Sequence, residues 1–283
     1  MTEALVRSVL FMPASNPRAV DKVRTLPCDV AVLDLEDAVA PDMKAEARAA
    51  AVEAVRSGGF GPRLAVRINA LDTPWGSDDL DALAGTSVGI IVAPKIETAR
   101  QVADLGDRLP AGAVLWAMIE TPRALFSLND LCGISGRLAA LMFGTNDLSA
   151  ALGCGSAAGR EPLKPWLAAT VAAARAHGLD VIDGVFNRLD DADGFADECD
   201  QGRLYGFDGK SLIHPAQIGT ANTTFSPTGD EVARARAIVA AFAEPDASGR
   251  GAIRVDGRMV ERLHLTAAEA LLRRHDACSR TPD

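Results

Sequence analysis

The sequence predicts an α/β protein: a TIM (β/α)8 barrel with a small C-terminal lid. Three observations predict it. Apolar runs of strand length alternate with Ala-rich, charge-decorated segments of helical period. The runs are continuously apolar, as parallel strands covered on both faces require. Eight such units fill roughly 220 residues, the size of this barrel. A doubly wound open sheet is the nearest competitor, but no Gly-rich dinucleotide fingerprint follows the first strand.

The predicted strands, in order, are Ser8–Met12, Val30–Leu35, Leu64–Ile68, Val88–Ala93, Val114–Ile119, Leu138–Phe143, Asp180–Val185 and Leu204–Phe207. Helical segments such as Lys44–Arg56 and Trp166–His177 stand between them. The Gly-rich stretch Gly153–Gly159 reads as a mobile loop. The barrel is expected to span 1–223 as the catalytic domain, with 224–283 as a helical and hairpin lid. In that tail Thr228 and Glu231 form a capping box before a helix Glu231–Ala243. A linker Glu244–Arg250, a hairpin opening with Ala252–Val255 and the Asp256-Gly257 turn, and a last helix Thr266–Arg274 follow. The tail is too short to hold a core alone and is expected to pack on the barrel or on another subunit.

Composition narrows the function. The 283 residues carry 29 basic and 38 acidic side chains, a formal charge of −9, and 48% are hydrophobic. This excludes a disordered chain and argues against nonspecific binding to nucleic acid or acidic membranes. The five cysteines, Cys28, Cys132, Cys154, Cys199 and Cys278, are widely spaced with no C-x-x-C, so neither a disulfide framework nor a zinc site is expected. No secretory leader or apolar span is recognisable, and a cytoplasmic location is expected.

In such a barrel the active site lies at the carboxyl ends of the strands. Those ends read Asp34-Leu-Glu36-Asp37, Arg67-Ile-Asn69, Pro94-Lys95-Ile-Glu97, Glu120-Thr-Pro, Gly144-Thr-Asn146-Asp147 and, beyond the eighth, Asp208-Gly-Lys210 with Ile213-His214-Pro215. The rim is dense in carboxylates, with one arginine and two lysines. Oxygen-rich and histidine-poor, it suits a hard cation such as Mg²⁺ rather than zinc or copper. Glu120 and Asp147, on adjacent strands, are the best ligand pair; the competing reading makes each a helix N-cap. Arg67, at the end of an apolar strand, needs an anionic partner: Glu36 or Asp37, a substrate carboxylate, or both at once, with Glu36 orienting the guanidinium. Asn16, Arg18 and Lys22 surround a helix start that could meet phosphate, against the plainer reading of a solvated face. His214, before a proline at a loop-to-helix junction, reads more readily as a capping or packing residue than as a catalyst. Trp75 and Trp116 read as packing, and the cysteines as inert core thiols.

Six blocks carry a resemblance: Arg7-Ser-Val-Leu-Phe-Met-Pro13, Leu33-Asp-Leu-Glu-Asp-Ala-Val-Ala-Pro41 with Lys44, Val66-Arg-Ile-Asn-Ala-Leu-Asp72, Ile119-Glu-Thr-Pro122, Phe143-Gly-Thr-Asn-Asp-Leu148 and Gly206-Phe-Asp-Gly-Lys-Ser-Leu-Ile-His-Pro215. Together they resemble the citrate lyase β-subunit-like family of the HpcH/HpaI aldolases, from about Arg7 to Arg273. The resemblance implies a barrel with a lid reaching a neighbouring subunit of a homotrimer or homohexamer. It implies a Mg²⁺-dependent lyase that cleaves or forms a carbon–carbon bond beside a CoA thioester of malyl, citramalyl or citryl type, with an α-keto acid as the other product. Carried over by position, Glu120 and Asp147 match metal ligands and Arg67 the substrate arginine. Phe11 and Lys22 match thioester contacts, and Asn146, Ile213 and His214 match ligand contacts. Two departures stand out: Asn16 where CoA-using relatives carry a basic residue, for which Arg18 is a candidate substitute, and Glu261 where the lid's catalytic aspartate is expected. Three alternatives remain open: a malyl-CoA-type thioesterase, a citrate lyase β subunit acting on a carrier-protein thioester, and an aldolase on free hydroxy-keto acids. The last is disfavoured because no histidine precedes His177.

Overall fold

The computed structural model describes residues 5–134, 136–155, 158–244 and 249–279. Eight parallel strands close a barrel in sequence order, β1 pairing with β8. In chain order the elements are β1 Ser8–Pro13, α1 Pro17–Val23, β2 Val30–Asp34, α2 Lys44–Ser57, β3 Arg63–Arg67, α3 Gly76–Leu83, β4 Ile90–Ala93, α4 Ala99–Arg108, β5 Val114–Ile119, α5 Pro122–Phe126, α6 Leu128–Cys132, β6 Leu138–Phe143, α7 Thr145–Leu152, α8 Lys164–Ala176, β7 Asp180–Asp183, α9 Ala192–Tyr205, β8 Gly209–Leu212 and α10 Ile218–Thr224. The predicted TIM barrel is therefore the fold. Its strands bury nearly every residue, because helices cover the outside and side chains fill the inside.

The filling explains where the polar groups go. Val30 and Val32 of β2, Ala65 of β3, Val92 of β4, Trp116 and Met118 of β5 and Met142 of β6 form one interior cluster, with Phe11 packed against it. Side chains alternate along a strand with a period of two. Continuing each interior row by one step, β2 reaches Asp34, β3 reaches Arg67 and β5 reaches Glu120. The apolar plug of the barrel thus ends in a charged layer at its carboxyl mouth.

One predicted strand is misplaced. Leu204–Phe207 is not β8; Leu204 and Tyr205 end α9, and Gly206 closes it with φ 98°. The true strand is Gly209-Lys-Ser-Leu212. An apolar-run criterion passes over it because two of its four buried residues, Lys210 and Ser211, are polar, and Leu204 is apolar yet exposed. Gly209 is needed there, since a Cβ would collide with the Val6 backbone.

Lys210 is also not on the rim. Ser211 lines the mouth, so its neighbour Lys210 faces the opposite side of the wall. Its ammonium is fully buried, donating to Asp183 Oδ2 at 2.9 Å, Glu198 Oε1 at 2.8 Å and the Gly184 carbonyl at 2.8 Å. Arg160 joins the network, donating to Asp183 Oδ1 at 2.7 Å. Of the predicted loop Gly153–Gly159, Gly153 ends α7 in a left-handed conformation, and residues 156 and 157 lie outside the described residues.

Contacts divide the chain into two compact units, one Val6–Thr224 and the other built on the segment from Phe225. The second unit contains α11 Gly229–Ala243, an antiparallel hairpin of β9 Ala252–Val255 and β10 Arg258–Glu261, and α12 Arg262–Cys278. Thr228 Oγ1 accepts from the Glu231 main chain and the Glu231 carboxylate accepts from Thr228, the predicted capping box. Asp256 and Gly257 turn the hairpin with φ 47° and 77°. Within this unit Ala235, Ile238, Val260 and Ala268 form a small buried cluster. Residues 245–248 of the predicted linker lie outside the described residues.

Candidate active site

A cavity of about 380 Å³ opens at the carboxyl mouth of the barrel. It is lined by Phe11, Asp34, Asp37, Arg67, Glu120, Asn146, Asp147 and Ile213, among others. The eight-stranded closure brings together residues spread over two hundred positions of sequence.

Arg67 is the centre of the charged layer. Its Nε and Nη2 meet Asp34 Oδ1 and Oδ2 at 2.7 and 2.6 Å, a two-pronged pair. Nη1 lies 2.9 Å from Glu36 Oε2 and 3.6 Å from Asp37 Oδ2. The guanidinium carbon stands 5.2 Å from the centre of the Phe11 ring, within cation–π range. Burial works against the arginine's charge, but Asp34 first, then Glu36 and Asp37, outweigh it and raise its pKa. Glu36 and Asp37 are thus secondary partners, and Asp34 is the main one, which sequence reasoning missed. The signal was available: Asp34 and Arg67 are the last residues of neighbouring parallel strands and pair in register.

Asp34 does more than neutralise. Its oxygens also accept the main-chain N–H groups of Glu36 and Ala38, at 2.9 and 3.1 Å, which folds the chain into a turn and sends Glu36 back toward Arg67. Lys44 supports that turn from α2, its ammonium donating to the carbonyls of Leu35 and Glu36 at 2.8 and 2.7 Å. Glu36 Oε2 is buried and, though close to Arg67, has no aligned hydrogen-bond donor. Burial pushes the Glu36 carboxyl up to about 7, with Arg67 opposing.

Glu120 and Asp147 are not the caps of their helices. The cap of α5 is Thr121, whose hydroxyl accepts from Ala124, and the cap of α7 is Gly144. Glu120 is buried, and its Oε1 accepts the Lys95 main-chain N–H at 2.8 Å. Lys95 makes that bond from a left-handed backbone, φ 53°, uncommon for a lysine. Its ammonium lies 3.5 Å from both Glu36 Oε1 and Asp147 Oδ2. Burial, then the charge of Glu36, push the Glu120 carboxyl up to about 7. A Cβ on Gly144 would strike Glu120, so glycine is what leaves room for the carboxylate.

The donor set fits a hard cation. Among the described residues no group of three or more His, Cys, Asp or Glu converges as a metal site. Two carboxylates free of capping duty, with substrate oxygens and water to complete the shell, are what Mg²⁺ ordinarily takes. The crowding of Glu36, Glu120 and Asp147 against one ammonium leaves excess negative charge for it to balance.

The HpcH/HpaI aldolase/citrate lyase model matches residues 7–215, which span the whole barrel from β1 to the loop after β8. The chain belongs to the HpcH/HpaI aldolase/citrate lyase family. Relatives within reach of this family include a (3S)-malyl-CoA thioesterase of Cereibacter sphaeroides, 41% identical over 272 residues, covering 96% of this chain and 95% of the relative. An L-malyl-CoA/β-methylmalyl-CoA lyase of the same species is 34% identical over 303 positions, again covering 96% and 95%. A solved structure of CitE from Mycobacterium tuberculosis in complex with magnesium, acetoacetate and coenzyme A superposes with a TM-score of 0.80 at 33% identity, covering 98% of this chain and all of that one. HpcH/HpaI membership thus joins this chain to CoA-thioester enzymes.

Other sequence-predicted residues fall outside this cluster. Arg18 and Lys22 are exposed on α1 and do not line the cavity, and Asn16 caps that helix by accepting from Ala19. His214 caps a short 3₁₀ turn, its Nδ1 accepting from Ala216 at 3.2 Å, so the capping reading describes it, while Ile213 beside it lines the cavity. Asn146 also lines the cavity and exchanges side-chain hydrogen bonds with Asn187 at 2.7 and 3.4 Å. Glu261 lies in the second unit, at the N-terminus of α12, where its main-chain N–H donates to His264 Nδ1 at 3.0 Å. No helix among the described residues is long and apolar enough to cross a membrane.

Proposed function

We propose that this chain is a Mg²⁺-dependent hydrolase of a malyl-type CoA thioester. One observation carries the choice within the family. The thioesterase aligns over 272 residues, almost without gaps for 96% of this chain, whereas the lyase needs 303 positions for the same share. The higher identity and the shorter alignment support the thioesterase reading.

Glu120 and Asp147 would hold Mg²⁺, which would supply Lewis-acid polarisation of the substrate oxygens. The chain's own groups do the rest. Arg67, locked by Asp34 and steadied by Glu36, presents a fixed positive charge toward the cavity, where it neutralises negative charge on the acyl oxygen. Phe11 and Ile213 give the acyl chain an apolar wall, and Asn146 offers an amide to the polar end. Arg18 in the first turn of α1 and Lys22 in its last turn, both exposed, are assigned to the phosphates of the CoA arm. Water adds its oxygen to the thioester carbonyl carbon, a mouth carboxylate takes a water proton, and the carbon–sulfur bond breaks. The CoA sulfur takes a proton, leaving free CoA and a hydroxy dicarboxylic acid.

Carbon–carbon cleavage, the lyase outcome, is the second reading, favoured by the lyase relatives at 34% identity over nearly the full chain. It uses the same mouth but needs an acid to protonate the thioester enolate. Glu261 from a neighbouring subunit of a homotrimer or homohexamer is assigned that role. The test incubates purified chain with malyl-CoA and Mg²⁺. Hydrolysis releases a free thiol and malate with no keto acid. Lyase chemistry releases glyoxylate and acetyl-CoA with no thiol. Turnover of neither kind removes malyl-CoA as substrate.

A further inference from the structure

Lys95 is tied to the carboxylate cluster by both ends. Its main-chain N–H holds Glu120, and its ammonium lies 3.5 Å from Asp147 and from Glu36. Its left-handed backbone, φ 53°, is held in a conformation that non-glycine residues seldom adopt. The main chain therefore has one purpose and the side chain another. Among the described residues Lys95 is the only basic partner of Asp147. Arg67 cannot take that place, because Asp34 and Glu36 occupy it.

A divalent cation shared by Glu120 and Asp147 would come within a few ångströms of this ammonium, a like-charge contact. The lysine side chain is 43% exposed, and Asp147 37%, so the ammonium has solvent to move into. We infer that the Lys95 ammonium is a built-in counter-ion of Asp147, which a divalent cation must displace, so that the site holds metal weakly until substrate oxygens help to bind it. The inference rests on Glu120 and Asp147 being the metal ligands. Lys95 is a positioning residue in this account: its ammonium offsets the charge of Asp147 before metal arrives, and its main chain keeps Glu120 aimed afterwards.

The sign of one measurement separates this from a merely structural role. Mn²⁺ binding is followed by electron paramagnetic resonance, without substrate, in the wild type, Lys95→Met, Lys95→Arg and Asp147→Asn. Lys95→Met keeps the main-chain bond to Glu120 and removes the competing charge, so it binds Mn²⁺ about fivefold more tightly, the scale of a half-exposed ion pair. Lys95→Arg keeps the charge and stays near the wild type. The rise in melting temperature on adding Mg²⁺ is larger in Lys95→Met than in the wild type. If Lys95→Met fails to fold, Lys95→Gln carries the same expectation. A structural brace predicts the reverse: unchanged or weaker Mn²⁺ binding in Lys95→Met, with Asp147→Asn still impaired, overturns the inference while the metal ligands stand. Absence of Mn²⁺ binding in the wild type, or full binding in Asp147→Asn, overturns both.

Discussion

Asp34 grips Arg67 with both carboxylate oxygens, at 2.7 and 2.6 Å, across the last register position of two neighbouring barrel strands. Both side chains are almost wholly buried, so the pair can be broken only at a cost. Removing Asp34 strips the buried Arg67 of its two-pronged partner and leaves only Glu36 and Asp37 on the third nitrogen to offset its charge. Asp34→Asn is expected to lose about 3–5 kcal/mol of stability, read as a lower urea midpoint, and to lower turnover because Arg67 is no longer aimed. Wild-type stability in Asp34→Asn would contradict this account of the pair.

Glu120→Gln and Asp147→Asn should each cut turnover of malyl-CoA by on the order of 100-fold or more, the scale seen when an electrostatic stabiliser of the reacting group is removed. Each should also abolish the Mg²⁺-induced rise in melting temperature. Circular dichroism checks that both remain folded.

Gly144→Ala tests the cradle around Glu120. A methyl group there strikes the glutamate side chain rather than open space. The carboxylate must shift, so turnover falls while far-ultraviolet circular dichroism stays native. A neighbouring change into open space, Gly153→Ala, has no such contact; its cost is the left-handed backbone, φ 65°, and so appears in stability rather than turnover.

The buried Asp183 gives an acid limb to stability. Burial alone would raise its pKa, but Lys210 and then Arg160 more than reverse this, and the value falls below the ordinary 3.8. A lowered acid pKa stabilises the fold above the unfolded value, and that contribution is lost as pH falls through the folded value. Thermal denaturation should therefore drop in midpoint as pH falls below about 4, and the drop should be shallower in Asp183→Asn, which begins from a lower midpoint.

Thiol chemistry offers a separate check. Burial pushes Cys28 and Cys199 up to about 12 and Cys132 up to about 11. Thiolate is the reacting form, so none of the three should be alkylated by iodoacetamide at neutral pH in the native protein. Labelling should fall on the half-buried Cys154 and Cys278, and on all five after denaturation. Peptide mass spectrometry reads the positions.

Most of the architecture is legible in the chain because its strands are apolar throughout and its turns are marked. Seven of the eight strands lie within a few residues of where the hydrophobic runs place them. The eighth escapes because it buries Lys210, paired on its outer side with Asp183 of β7 and Glu198 of α9, and such a lysine looks like a surface residue in a linear reading. The rim carboxylates and Arg67 are legible for a related reason: charged residues directly after apolar strands have to face the mouth. Arg18, Lys22 and His214 show the limit of the same logic, since residues beyond a strand end can turn away on a helix or cap it.

By itself the sequence determined the barrel, its order of strands, its acidic mouth and the family to which it belongs. All of these follow from patterns local in the chain: apolar runs, turn residues and short motifs. Only the tertiary structure decided which charge meets which. Asp34 rather than Glu36 became the main partner of Arg67, Lys95 turned an ammonium toward Asp147, and Lys210 left the mouth for the outer wall. The physical reason is that pairing strength depends on distance and burial, and both are set by register across strands and by which face of the wall a side chain takes, neither of which is written in any single segment.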